Sequence, residues 1–123
     1  MANNIKELTK AELEIMQILW DRQGAFVNEI VDVMPEPKPA YNTVSTIVRI
    51  LEKKGFVGHD NFGRTFRYRP LVGRDEYTGQ FMNSVLNNFF DNSLSHMVSF
   101  FARKEKISDR EMNEIMEILN KNK

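Results

Sequence analysis

Cysteine is absent from this sequence of 123 residues, and so is any long apolar run. Without cysteine the chain has no disulfide framework, no thiolate metal site and no cysteine nucleophile. No stretch approaches the roughly 18 apolar residues of a membrane-spanning helix, and the first residues, MANNIKELTKAELE, lack the apolar core of a signal peptide. We therefore expect a cytoplasmic protein with one ordinary domain or two very small ones.

Net charge is also lacking, because 17 basic residues balance 17 acidic ones, but the charges are unevenly distributed. Residues 38–74 hold eight basic and two acidic residues, a net charge of +6, whereas residues 1–37 and 75–123 have net charges of −4 and −2. Attraction to phosphate depends on the charge near the contact. The central segment therefore has the charge that a nucleic-acid-binding element needs, although a solvated basic face would look the same.

The sequence carries helix signals on both sides of this central segment and within it. Thr9-Lys10-Ala11-Glu12 is a capping box and predicts a helix that begins at Lys10, and Ser108-Asp109-Arg110-Glu111 repeats the pattern near the end of the chain. A short second helix is predicted from about Phe26 to near Met34, where a proline follows. A third is predicted from about Ala40 to Lys54, with polar and basic residues opposite an apolar stripe.

A basic hairpin follows the third helix. Residues 56–60 and 65–69 predict two strands joined by Asn61-Phe62-Gly63-Arg64, with Phe66 and Tyr68 on a packed face of the second strand. Three short helices followed by such a hairpin are typical of a winged helix-turn-helix, in which the hairpin is the wing. The predicted fold is mainly α with a small β-hairpin wing: a winged-helix DNA-binding domain in residues 1–72 and a three-helix dimerisation domain in residues 73–123.

The predicted dimerisation domain has broad apolar helix faces. About fifty residues bury little surface alone, exposed apolar stripes usually mark interfaces, and two-fold dimers are the commonest closed assembly. The alternative is a compact monomer in which these helices pack on the winged helix. The residues predicted to form a homodimer interface are Tyr77, Phe81, Val85, Phe89, Leu94, Met97, Phe101, Ile115 and Leu119.

On the third helix, Asn42, Thr43 and Thr46 are predicted to face base edges, because the first turns of a recognition helix enter the major groove. Arg49 could contact a base or a phosphate, and the phosphate is favoured since most such contacts are to the backbone. Lys53 lies further along the helix, where it contacts a phosphate or serves solubility.

The wing and the start of the helix complete the predicted DNA-binding residues. Arg64 at the wing tip, with Arg67 beside it, is predicted to contact the backbone or the minor groove of double-stranded DNA. Tyr41 has two interpretations that the sequence leaves open, a hydroxyl contact to phosphate and a packing role.

The residues together resemble a known family. LTKAELEIMQILW (Leu8–Trp20), YNTVSTIVRILEKKG (Tyr41–Gly55), GRTFRYRP (Gly63–Pro70) and SLSHMVSFFARKEKIS (Ser93–Ser108) are similar to the penicillinase repressors of the BlaI/MecI type. The resemblance covers nearly the whole chain. It implies a homodimeric transcriptional repressor with an N-terminal winged helix and an intertwined C-terminal helical domain, bound to a pseudo-palindromic operator.

The resemblance also implies a route of release. Family members are commonly released from DNA when a membrane metallopeptidase sensor leads to a cut, typically at an Asn-Phe bond. Here the corresponding bond is Phe100-Phe101, so the asparagine is missing. The copper-responsive relatives carry a C-terminal cysteine motif, and the absence of cysteine excludes that branch.

The sequence offers little support for an enzyme or a metal site. No Ser/His/Asp arrangement, phosphate loop or paired acidic motif indicates an enzyme, and no cofactor or small-molecule substrate is predicted. His59 and His96 lie 37 positions apart, which does not suit a four-ligand metal site. A winged helix that binds protein, or a ligand-sensing regulator with a pocket between its halves, remains an alternative.

Overall fold

The computed structural model describes residues 6–105 and 107–121. Residues 1–5, where the sequence predicts no signal peptide, lie outside this part. Within it no helix is long and apolar enough to cross a membrane. The elements are, in chain order, α1 (Lys10–Arg22), β1 (Ala25–Phe26), α2 (Val27–Val33), α3 (Tyr41–Lys53), β2 (Val57–Phe62), β3 (Thr65–Pro70), α4 (Arg74–Phe90), α5 (Leu94–Glu105) and α6 (Asp109–Lys121).

Helix α1 begins where the capping box predicts. Thr9 Oγ1 accepts a hydrogen bond from the Glu12 N–H at 3.2 Å, and Glu12 Oε1 accepts one from the Thr9 N–H at 2.9 Å. Two backbone donors that have no partner inside the helix are thereby satisfied. The second predicted box also caps its helix, since Ser108 Oγ accepts the Glu111 N–H at 3.1 Å.

The sheet has one strand more than the sequence predicts. Its order is β1-β3-β2, all antiparallel, so β3 is central and is paired on both sides. Because Phe62 lies opposite Thr65, the hairpin turn contains only Gly63 and Arg64, and β2 runs two residues further than expected. Gly63 adopts a φ of 64°, which glycine does at no steric cost.

One hydrophobic core lies between the first three helices and the sheet. Ile15, Leu19, Ile30 and Val48 have no exposed surface, and Phe56, after α3, has 1%. The apolar stripe predicted for α3 faces this core, and so do the buried apolar side chains of α1.

The chain divides into two compact units, residues 1–81 and 82–123, and α4 runs through both. The first turns of α4 belong to the winged-helix unit. Tyr77, which the sequence predicts at a dimer interface, is 8% exposed there, and its hydroxyl accepts the Leu8 N–H at 2.9 Å.

The second unit contains the rest of α4 together with α5 and α6. Asp91 and Asn92 have positive φ angles, 51° and 62°, and separate α4 from α5. Among the side chains described between residues 82 and 121, none is buried.

Candidate nucleic-acid interface

Helix α3 separates a buried face from a polar one. Val44, Val48 and Leu51 have no exposed surface. The predicted base-reading and phosphate-binding residues lie on the exposed part of the helix, namely Asn42, Thr43, Thr46, Arg49 and Lys53. The core therefore fixes the orientation of α3 and leaves its polar face open to a partner.

The two wing arginines have different surroundings. Arg64 is exposed in the hairpin turn. Arg67 lies in the middle of β3, opposite Phe26 and Asp60, and is half-buried. Its guanidinium lies against Gly24, where an added Cβ would be 2.8 Å from Arg67 Cζ. Thus only Arg64 is at the wing tip.

Ion pairs within the winged-helix unit neutralise part of the basic segment. Lys54 Nζ lies 2.8 Å from Glu12, Arg69 Nε lies 3.2 Å from Asp60, and Arg74 Nη2 lies 2.7 Å from Asp21. Lys38 Nζ instead donates to the backbone oxygens of Asp32 at 2.7 Å and Met34 at 3.0 Å. The charge count from the sequence therefore overstates the charge that is available to a partner.

Five basic residues of the segment have no carboxylate within 4.0 Å in the described part of the chain: Lys38, whose Nζ donates to backbone oxygens, and Arg49, Lys53, Arg64 and Arg67. The last four are among the predicted DNA-binding residues. They occupy α3 and the wing, the two elements that contact DNA in winged helices.

Glu12 and Lys54 join the beginning of α1 to the end of α3. Burial alone would raise the pKa of the Glu12 carboxyl, but hydrogen bonds from Lys54 and Thr9 hold this pKa below its ordinary value of 4.5. The carboxylate therefore stays charged at neutral pH, and the pair locks α3 against α1.

A contact between α3 and the wing was missed by sequence reasoning. The His59 Nδ1–H donates to Glu52 Oε2 at 2.6 Å, and the Phe66 ring stacks on the imidazole with centroids 4.2 Å apart. The expectation that Phe66 packs inward with Tyr68 is wrong: Phe66 is 43% exposed, whereas Tyr68 is 4% exposed. The only sequence signal for this contact is that a histidine in the first strand of the hairpin, His59, is followed by an aromatic residue in the second strand, Phe66.

A cleft of about 320 Å³ lies between α2, α3 and the wing. It is lined by Phe26, Val27, Asn28, Tyr41, Ser45, Arg49, Arg64, Thr65, Phe66 and Tyr68. Three of the predicted DNA-binding residues therefore meet here. Burial, with a smaller effect of Glu52, raises the pKa of the Tyr68 hydroxyl in this cleft.

Comparison with known proteins agrees with this architecture. Residues 8–121 match the family model of the penicillinase repressor. The chain is 31% identical to a penicillinase repressor of Bacillus licheniformis over 97% of this chain and 94% of that protein. It is 30% identical to the methicillin resistance regulatory protein MecI of Staphylococcus aureus over 98% and 99% of the two chains.

Two solved structures are similar to the winged-helix part. The DNA-binding domain of the repressor BlaI aligns with a TM-score of 0.53 and 28% identity, over 62% of this chain and 94% of that domain. The Bacillus licheniformis BlaI monomer in complex with the blaP half-operator aligns with a TM-score of 0.50 and 29% identity, over 60% and 92%. The winged-helix fold predicted from the sequence is confirmed. The chain belongs to the penicillinase repressor family, whose members are DNA-binding transcriptional repressors of the BlaI/MecI type and not enzymes.

Proposed function

We propose that this chain represses transcription by binding a pseudo-palindromic DNA operator as a homodimer. The observation that carries the proposal is the position of its unpaired cations. Arg49, Lys53, Arg64 and Arg67 lie without a carboxylate partner within 4.0 Å, in the part of the chain that the structure describes, on α3 and the wing. The relative solved with the blaP half-operator supports DNA as the partner. A DNA-binding role also agrees with the proposed cytoplasmic location.

The two elements have different roles in this proposal. Asn42, Thr43 and Thr46 on the first turns of α3 read base edges in the major groove. Arg49, Lys53, Arg64 and Arg67 neutralise phosphates or enter the minor groove, which supplies affinity with little sequence information. The exposed Tyr41 ring, 54% accessible, favours its hydroxyl contact to phosphate over a packing role.

The homodimer is proposed from the apolar surface of the second unit. Phe89, Leu94 and Leu119 are 74%, 55% and 52% exposed, which is a large apolar surface to leave in water. Val85, Met97 and Ile115 are half-buried beside them. A two-fold dimer would cover these side chains and would set two recognition helices about 34 Å apart, or a multiple of that, along the operator.

For release from DNA we propose cleavage at Phe100-Phe101 in response to a membrane metallopeptidase sensor. This bond lies inside α5, and the rings are 37% and 44% exposed. A protease binds its substrate as an extended chain, so α5 must unwind locally before the bond is cut. Where a membrane metallopeptidase is encoded beside this gene, incubation with it should yield a fragment that ends near residue 100, and an intact chain after activation of that sensor would exclude this route.

DNA binding is tested by electrophoretic mobility shift over a range of salt concentrations, with a site selected from random DNA. Affinity should fall steeply with salt, and Arg64→Ala should lower the salt slope by about one unit for every sequence. Asn42→Ala should instead relax sequence preference while the slope stays constant. Binding that ignores salt, or mutants indistinguishable from the parent, would favour a protein-binding module.

A further inference from the structure

We infer that a second cleft, the α1–α4 cleft, binds a small organic ammonium ion, with the apolar body of the ligand against Phe81 and its charge beside Glu7. This cleft has a volume of about 310 Å³ and lies between α1, the residues just before it and the first turns of α4. All of its lining belongs to the first compact unit. None of the predicted DNA-binding residues borders it, so the site is independent of the proposed function and adds to it.

Aromatic rings form much of the lining. Trp20 from α1 and Tyr77 from α4 have ring centroids 6.2 Å apart, and the Phe81 ring stacks on Tyr77 at 6.0 Å with an interplanar angle of 22°. Phe81 is 38% exposed, so part of its ring is open to a ligand. The apolar body of a ligand would therefore contact aromatic surface in the cleft.

Hydrogen bonds inside the protein fix two of these rings. The Tyr77 hydroxyl accepts the Leu8 N–H at 2.9 Å, and the Trp20 Nε1–H donates to the Val72 carbonyl at 2.9 Å. The polar atoms of both rings already have partners, so the rings offer a ligand their apolar faces. A cleft whose walls are held in this way is largely formed before a ligand enters, which lowers the entropy cost of binding.

The charges of the lining favour a cation. Arg74 Nη2 donates to Asp21 at 2.7 Å and to Gln17 at 3.1 Å, and the guanidinium lies over the Trp20 ring at 5.4 Å, so this positive charge is already paired. Glu7, the other charged residue of the lining, has no cationic group within 4.0 Å among the described residues. An anion would have to displace Asp21 and would meet the charge of Glu7, whereas a cation would pair with Glu7.

The combination of rings and carboxylate identifies the class of ligand. Faces of aromatic rings attract ammonium groups, which a neighbouring carboxylate also binds. The volume of the cleft is at the small end of the range for ligand pockets, about 300–1,000 Å³. These features suit a primary or quaternary ammonium ion that carries one ring or a short branched chain.

Fluorescence of Trp20 supplies a direct measurement, because Trp20 is the single tryptophan of the chain and borders the cleft. Titration of the full-length protein with phenethylammonium should change the fluorescence saturably, with a Kd of about 1 mM for a ligand of roughly nine heavy atoms. Its neutral and anionic analogues, 2-phenylethanol and phenylacetate, should bind more weakly, in that order. The proposal is overturned if either analogue binds as tightly as phenethylammonium, or if neither fluorescence nor calorimetry detects saturable binding of the ammonium ion.

Matched variants test the two parts of the site. Glu7→Gln should weaken phenethylammonium binding a few-fold, as expected for an exposed ion pair, and leave 2-phenylethanol binding unchanged. Glu14→Gln removes an exposed carboxylate of α1 outside the lining and is its control. Phe81→Ala should weaken binding of all three probes, whereas Phe62→Ala, at an exposed ring outside the lining, should not. Equal effects within either pair of variants would contradict the site.

A second copy of the chain is the competing occupant, because Phe81 is also predicted at the homodimer interface. All lining residues belong to one chain, so the affinity for phenethylammonium should be the same across a range of protein concentrations that spans dimer dissociation. Binding that appears only in the dilute protein would show that the second copy fills the cleft, and would overturn the ligand site. Operator binding does not enter this experiment, so its outcome and that of the mobility-shift test are independent.

Discussion

The two units of the chain bury their apolar side chains to very different degrees. In residues 6–81 a core of sixteen buried hydrophobic residues closes around α1, α3 and the sheet, whereas no side chain described between residues 82 and 121 is buried. Both units have comparable apolar stripes in sequence. The first unit therefore buries its apolar side chains against one another. The second unit leaves its apolar side chains exposed, which is typical of a unit that packs against another surface.

The largest contrast is expected for the same substitution in each unit. Phe56→Ala removes a ring that is 1% exposed and should lower the free energy of unfolding of the first unit by about 3–5 kcal/mol. Phe89→Ala removes one that is 74% exposed and should leave that unit unchanged. Trp20 is the only tryptophan, so its fluorescence during urea unfolding reports on the first unit. Similar urea midpoints for Phe56→Ala and Phe89→Ala would contradict the difference in burial between the two units.

The next effect concerns association. Leu119→Asp places a charge on the apolar face of α6 and should convert the proposed dimer into monomers, with operator affinity lower by about a hundredfold because the two half-sites are no longer bound together. Asn113→Asp adds the same charge to α6 at an exposed polar position and is the control. Sedimentation equilibrium measures the mass. A Leu119→Asp protein that keeps the parent's mass and affinity would rule out this interface.

A smaller effect distinguishes a buried ion pair from an exposed one. Glu12→Gln should destabilise the first unit by about 2 kcal/mol at neutral pH, since a charged hydrogen bond is lost. In the second unit, Arg110 and Glu114 form an exposed pair at 3.9 Å, so Glu114→Gln should not measurably change the free energy of unfolding.

The sign of the pH dependence follows from the lowered pKa of Glu12. Its contribution to stability is present above the ordinary value of 4.5 and is lost as the pH falls through the lower value in the folded state. Parent and Glu12→Gln should therefore converge in urea midpoint on acidification. A constant difference would show that the carboxylate charge is not what stabilises the parent.

The smallest effect is expected for the link between α3 and the wing. Glu52 and His59 are each about one-third exposed, so Glu52→Gln should change stability by less than about 1 kcal/mol. Operator affinity should fall a few-fold, because the wing is held less firmly against the recognition helix. An affinity equal to that of the parent would mean that the sheet alone positions the wing.

Sequence reasoning succeeded where the determinant is local. The Thr9 and Ser108 caps and the helix stripes depend on residues three or four positions apart, and the structure has each of them. It missed β1, because two residues are too few for a recognisable strand pattern. It also missed the pairing of Lys54 with Glu12, 42 positions away, because only the folded chain brings such charges together.

The candidate site was predicted in part for the same reason. The polar face of α3 follows from helical periodicity, so its exposed residues could be named in advance. The cleft could not be predicted, since it depends on how α2, α3 and the wing meet. Tyr77 illustrates a further limit of pattern: an apolar stripe indicates that a ring is covered, but not which surface covers it.

The close approach of Arg67 to Gly24 ties the turn after α1 to the centre of the wing. Gly24 has a φ of 138°, which L side chains rarely adopt, so any other residue there would strain the backbone. An added Cβ would also lie 2.8 Å from Arg67 Cζ, and the flexible guanidinium would have to move aside. Replacement of this glycine should therefore also change where a cation of the wing points.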